Sequence, residues 1–126
     1  MTREDKVKEF HEASGHPIGG EWTEELMAFR IDLITEELEE LLEACEHVIL
    51  EPYEGCEAAL LKELADIQYV VSGMAVALGL DLEEAFNRVH GSNMSKLGED
   101  GKPIYRFDGK VLKGPNYKEP DLEDLI

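Results

Sequence analysis

Five acidic residues could do chemistry together: Glu36-Glu37-x-x-Glu40 and, 23 residues after Glu40, Glu63-x-x-Asp66. Acidic strings alone discriminate little in a chain with 29 Asp and Glu among 126 residues. Helical position discriminates better. At about 100° per residue, the first long helix carries one broad apolar arc that includes Leu33, Ile34, Leu38, Leu41 and Ala44. Asp32, Glu39, Glu43 and Glu46 fall opposite it, as an ordinary solvated face. Glu37 projects inside the arc, Glu40 lies at its edge between Phe29 and Ala44, and Glu36 sits just outside. On the second long helix Glu63 and Asp66 share a side with Val70, Met74 and Ala77.

An ionised carboxylate taken out of water without a partner costs several kcal/mol or more, so inward acids are neutralised, paired or bound to a cation. Arg30 and Lys62 are the only Lys or Arg on either helix, which points to a cation from solution. Carboxylate oxygens suit a hard ion, Mg²⁺ or Mn²⁺, which keeps some waters and also holds substrate phosphates. The i, i+3 spacing offers two ligands about one turn apart from each helix. The bland alternatives are a solvated acidic face or inward carboxyls that stay neutral at pH 7.

These residues must be positioned by helices, and the pattern supplies them. Thr2 with Asp5 caps a short helix to about Ala13, followed by the breaker run 14–20. Thr23 caps the first long helix, Pro52 to Gly55 form a turn, and the second long helix runs from Glu57 to Leu78, apolar almost all round. Asp81 with Glu84 caps a fourth helix to about Lys96 whose inner face reads Leu82, Ala85, Phe86 and Val89, with Asn93 and Lys96 on the same side. Beyond Gly98 the pattern changes to turns: a hairpin about Asp108-Gly109, then a final helical turn at 122–126. The expectation is an all-α bundle in one domain, helical core 1–97 with a hairpin tail 98–126. So apolar a second helix needs cover that one short chain does not supply, so a homo-oligomer completes the bundle.

A formal charge of −17 argues against nucleic acid or an anionic membrane as partner. The cations gather late: residues 91–126 hold 6 of the 12 Lys and Arg but only 7 of the 29 acids, so this end could face an anionic ligand. Cys45 and Cys56 form neither a CxxC motif nor a zinc pattern, and no apolar leader opens the chain, so a cytoplasmic protein is expected. His11, His16, His47 and His90 have no second histidine at ligand spacing. His11 could line a base pocket with Phe10 and Trp22; alternatively Trp22 is a hydrophobic staple at the start of the long helix.

Taken in order, "EELEE" at 36–40, "ELAD" at 63–66, "GLDLEEAF" at 79–86, "VHGSNMSK" at 89–96 and "DGKPIYRFDGKVLKGPNY" at 100–117 resemble the MazG-like, all-α nucleoside triphosphate pyrophosphohydrolases, which include the phosphoribosyl-ATP pyrophosphohydrolase type. The resemblance implies a bundle of four core helices drawn from a dimer or tetramer, and hydrolysis of a (d)NTP to (d)NMP and pyrophosphate. It implies Glu37, Glu40, Glu63 and Asp66 as metal ligands, Glu36 as an acid that orients water or takes its proton, and Asn93 and Lys96 as contacts to phosphate or sugar. Lys113 or Lys110, in the tail, is a candidate to close over phosphate. Two other readings stay open: hydrolysis of phosphoribosyl-ATP itself, and a non-catalytic acidic module that binds cations or a partner protein.

Overall fold

The computed structural model describes residues 1–126. It contains four α-helices, α1 (Arg3–Ser14), α2 (Glu24–Leu50), α3 (Cys56–Leu78) and α4 (Leu82–Met94), then a 3-10 turn at Glu123–Leu125, and no β-strand. The expected all-α class is therefore observed. The chain divides into two compact units, Met1–Leu80 and Asp81–Ile126.

In the first unit, helix ends fall where capping chemistry places them. Thr2 Oγ1 accepts from Asp5 N at 3.1 Å while Asp5 Oδ2 accepts from Thr2 N at 2.9 Å, the reciprocal box that starts α1. Thr23 Oγ1 accepts from Leu26 N at 3.1 Å and starts α2. The central element is α3, which packs along α2 and against α1. Its second half carries the buried part of the helix, where small Ser72, Gly73, Ala75 and Ala77 alternate with Val76 and Leu78. Val7 of α1 and Ala44 of α2 are buried in the same unit, together with three polar side chains, His11, Arg30 and Ser72. In the first half of α3, by contrast, Leu61 and Leu64 stay 68% and 47% exposed, so the apolar face read from the sequence is left uncovered within one chain.

The loop between α1 and α2 turns back onto the end of α3. Gly19 N donates to Val76 O at 2.9 Å, Gly20 N to Ala77 O at 2.8 Å, and Trp22 Nε1 to Leu78 O at 2.8 Å. Carbonyls of a last helical turn have no partner within their own helix, and here the loop satisfies three of them. Gly79 ends α3 at φ 72°, and a Cβ on it would lie 3.0 Å from Gly19 Cα, so backbone meets backbone at this crossing. The Trp22 ring is held by its indole N–H as well as by any staple contact.

In the second unit Asp81 Oδ1 accepts from Glu84 N at 3.1 Å and starts α4. The inner face differs from the one read on the wheel: Phe86 and Val89 are 67% and 37% exposed, whereas Ser92 is buried. The tail returns along the other side of α4. Arg88 donates to Glu84, to both carboxylate oxygens of Asp124 and to the Asp121 carbonyl, and Ser92 Oγ donates to Lys118 O at 2.7 Å. Polar anchors outside the helix thus choose the face, and an apolar count cannot see them. The expected hairpin reduces to one isolated antiparallel bridge, Tyr105 to Val111, around the Asp108-Gly109 turn. Its arms are only a few residues long and mostly exposed, with Phe107 fully so, and a hairpin without an apolar face to bury is marginal.

Candidate active site

Glu37 and Glu40 stand one turn apart on α2, and Glu63 and Asp66 one turn apart on α3, where the two helices pack together. One ligand atom from each of the four lies within 4.8 Å of the other three. Burial pushes the Glu37 carboxyl above its ordinary range, and the neighbouring charges of Glu40, Asp66 and Glu63 push it further. Burial and a close carboxyl–carboxyl approach from Glu40 do the same to Glu63. One base reaches the cluster: Lys62 Nζ lies 2.7 Å from Asp66 Oδ2 and 3.5 Å from Glu63 Oε1, and its own pKa is raised by them. Lys62, two-thirds exposed, therefore pairs with the outer edge of a cluster that the sequence suggested had no base to spare.

That ammonium leaves the inner oxygens unserved. Glu37 Oε2 and Glu63 Oε2 are both buried and accept no hydrogen bond. Buried acceptors in native proteins are almost always partnered, and four carboxylates facing one ammonium retain a large negative excess. The all-oxygen donor set, the two orphaned atoms and the common reach of four ligands fit a hard divalent cation. Glu36, next to Glu37 on α2, is exposed and can present its carboxylate to solvent beside the cluster.

Two turns further along the α2–α3 packing lies a second polar group. Gly73 sits seven residues after Asp66 and Arg30 seven before Glu37. A Cβ on Gly73 would lie 3.0 Å from Arg30 Nη1 and 3.5 Å from His11 Nε2, so the missing side chain makes their room. His11 is 2% exposed and donates from Nδ1 to the Pro17 carbonyl at 2.9 Å. Burial holds its pKa below the ordinary histidine value, and the nearby charges of Arg30 and His16 add to this against the pull of the Pro17 carbonyl. His11 is thus enclosed as a hydrogen-bonded wall and not open as the base-pocket surface the sequence suggested. Trp22, half exposed and fixed through its indole N–H, presents a ring face.

Asn93, Lys96 and Lys113 belong to the second unit. Asn93 is exposed on the last turn of α4, while Lys96 lies beyond the Ser95 cap that ends the helix, so the two do not share a helical face as expected. Lys113 Nζ stands 4.9 Å above the Tyr117 ring. Arg30 was legible only as one of two bases on the long helices. Its seven-residue offset from Glu37, which places both on one side of α2, was the available signal.

No curated protein matches the chain. The family model described as phosphoribosyl-ATP pyrophosphohydrolase matches residues 7–93, a span that holds all four clustered acids, α4 as far as Asn93, and the Arg30 group, and that stops before Lys96 and the tail. With more than half of its length so matched, the chain belongs to the phosphoribosyl-ATP pyrophosphohydrolase family, within the superfamily that includes the MazG-like proteins.

Proposed function

We propose that this protein hydrolyses a (deoxy)nucleoside triphosphate to the monophosphate and pyrophosphate, and so acts on the nucleotide pool. The observation that carries this is the four-acid cluster with two buried, unpartnered carboxylate oxygens inside a matched pyrophosphohydrolase span. Glu37, Glu40, Glu63 and Asp66 would hold one or two Mg²⁺, with Mn²⁺ as substitute. Bound there, a divalent ion supplies charge neutralisation for phosphoryl oxygens and lowers the pKa of water.

The chain's own groups do the rest. Glu36, exposed and next to Glu37 in sequence, would orient the attacking water and take its proton. Lys62, already at the rim of the cluster, would remain there as a countercharge when phosphates arrive. Trp22 and His11 are not given the base: His11 is buried and bonded to the Pro17 carbonyl, and the Trp22 indole is tied to Leu78 O at the far end of α3. Asn93, Lys96 and Lys113 are assigned to phosphate and sugar contacts. The 126 residues act as one functional domain, as a homo-oligomer in which a second copy covers the exposed Leu61 and Leu64 of α3. No single helix is long and apolar enough to cross a membrane, and with a charge of −17 neither nucleic acid nor an anionic membrane is a partner; the protein is assigned to the cytoplasm.

A second reading has the family's own description behind it: phosphoribosyl-ATP as the substrate. Pyrophosphate release measured with Mg²⁺ across the four dNTPs, their ribo counterparts and phosphoribosyl-ATP decides between them. Turnover of a (d)NTP that stops with EDTA is expected. Turnover of phosphoribosyl-ATP alone would replace the first reading by the second, and no release from any substrate would leave an acidic binding module.

A further inference from the structure

Arg30 is 2% exposed, yet in a chain with 29 acids no carboxylate lies within ion-pair distance of it. Its one hydrogen bond runs from Nη2 to His16 Nδ1 at 3.2 Å, its guanidinium lies over the Phe29 ring at 5.2 Å, and its Nε donates to nothing. A buried cation without an anion costs several kcal/mol, and the chain yields a side chain at Gly73 to keep this one. Burial depresses the Arg30 pKa, the mark of a charge poorly compensated in the free protein. A structural ion pair does not look like this. A fork of donors waiting for an acceptor does.

The surroundings specify the acceptor. Arg30 lies seven residues along α2 from Glu37, and Gly73 seven along α3 from Asp66, which is about 10 Å along each helix. That is the order of the reach from a nucleotide's phosphate to the far edge of its base. Aromatic rings wall the path: Phe10 stands edge-to-face with Tyr69 at 5.9 Å, and the His16 ring stands edge-to-face with Phe10 at 6.4 Å and Phe29 at 6.0 Å. Phe10 and Tyr69 are 51% and 41% exposed, so they offer aromatic surface to a flat ligand, while Phe29 carries the Arg30 guanidinium on one face. Between them the His16 imidazole is itself a flat ring with a nitrogen acceptor turned to the guanidinium. It comes from the loop that joins α1 to α2, not from a helix.

We propose that Arg30 reads the substrate's nucleobase, and that in the free protein the His16 ring occupies the place the base will take. The inference rests on the nucleoside triphosphate reading above and assigns its specificity. A guanidinium fork donates two parallel hydrogen bonds, so it selects a base edge with two adjacent acceptors. Guanine offers O6 and N7, and cytosine offers O2 and N3. Adenine sets an amino donor beside its acceptor, and thymine places an N3–H between its two carbonyls. The base is therefore guanine or cytosine.

Calorimetric binding of dGMP, dCMP, dAMP and dTMP with Mg²⁺, to the wild type, Arg30→Lys and His16→Ala, tests this independently of turnover, with hydrolysis of the four dNTPs run beside it. Wild type should bind dGMP or dCMP about tenfold or more tighter than dAMP and dTMP, the discrimination a bidentate pair gives. Arg30→Lys should erase that preference while changing the other affinities within about threefold, since lysine keeps the charge and loses the fork. His16→Ala, in the loop and so tolerant of change, should tighten binding of the preferred monophosphate by emptying the place. Base preference in binding without hydrolysis would overturn the proposed activity and leave the arginine assignment standing. Equal binding of all four bases by wild type, or an unchanged preference in Arg30→Lys, would overturn the assignment; so would His16→Ala weakening all four alike.

Discussion

Four carboxyl groups within 4.8 Å of one another repel, and the protein tolerates this at Glu37 and Glu63 by raising their proton affinity. A carboxyl whose folded pKa is raised above its reference of 4.5 makes its full contribution to stability below that value and loses it as pH rises through the folded pKa. In EDTA, wild-type thermal stability should therefore fall relative to Glu63→Gln as pH rises above about 4.5, because the variant lacks one of the competing charges. With saturating Mg²⁺ the order should reverse if the proposed site holds the cation, since its affinity rests on the full set of ionised carboxylates. Melting both proteins from pH 4 to 7 checks this, and a pH-independent difference in EDTA would contradict it. At this scale the four clustered acids were legible because one-turn spacing inside an apolar arc depends only on local sequence. The pairing of Lys62 to the rim and the burial of Arg30 were not. The Lys62–Asp66 pair is an i, i+4 contact within α3 whose choice of partner the rotamer decides, and the burial of Arg30 depends on side chains brought from α1 and the 15–20 loop, which a single wheel leaves out.

Helix boundaries depend on caps a few residues long, which is why Thr2, Thr23 and Asp81 marked them correctly. The inner face of α4 and the fate of the hairpin depend on what the tail does, and there the sequence pattern gave Phe86 and Val89 where the fold uses Arg88 and Ser92. The loop over the end of α3 joins the two levels. Gly79→Ala places a Cβ against the Gly19 backbone in a left-handed conformation, and should destabilise the protein by about 2 kcal/mol. Trp22→Phe removes the donor to the Leu78 carbonyl and should cost about 1 kcal/mol. Urea unfolding followed by circular dichroism measures both, and wild-type midpoints in the two variants would show that the loop does not cap α3.

For the whole molecule, the charge of −17 and the bare apolar half of α3 pull in opposite directions, one keeping copies apart and the other asking for cover. Light scattering at physiological salt, where surface repulsion is screened, should give a mass that is a multiple of 14.2 kDa, and Leu61→Asp should shift it toward the monomer. A wild-type monomer would mean that α3 is exposed for another purpose. The all-α class was readable because helical periodicity runs through most of the chain, whereas the sequence offers for the assembly only an apolar helix in need of cover, since one chain does not show what covers it. All of this serves one centre, and the most direct measurement on it is Mn²⁺ titration followed by electron paramagnetic resonance in wild type and Glu63→Gln. The account predicts saturable Mn²⁺ binding to wild type, weakened about tenfold or more when the central carboxylate is made neutral. Equal Mn²⁺ affinity in the two proteins would contradict it.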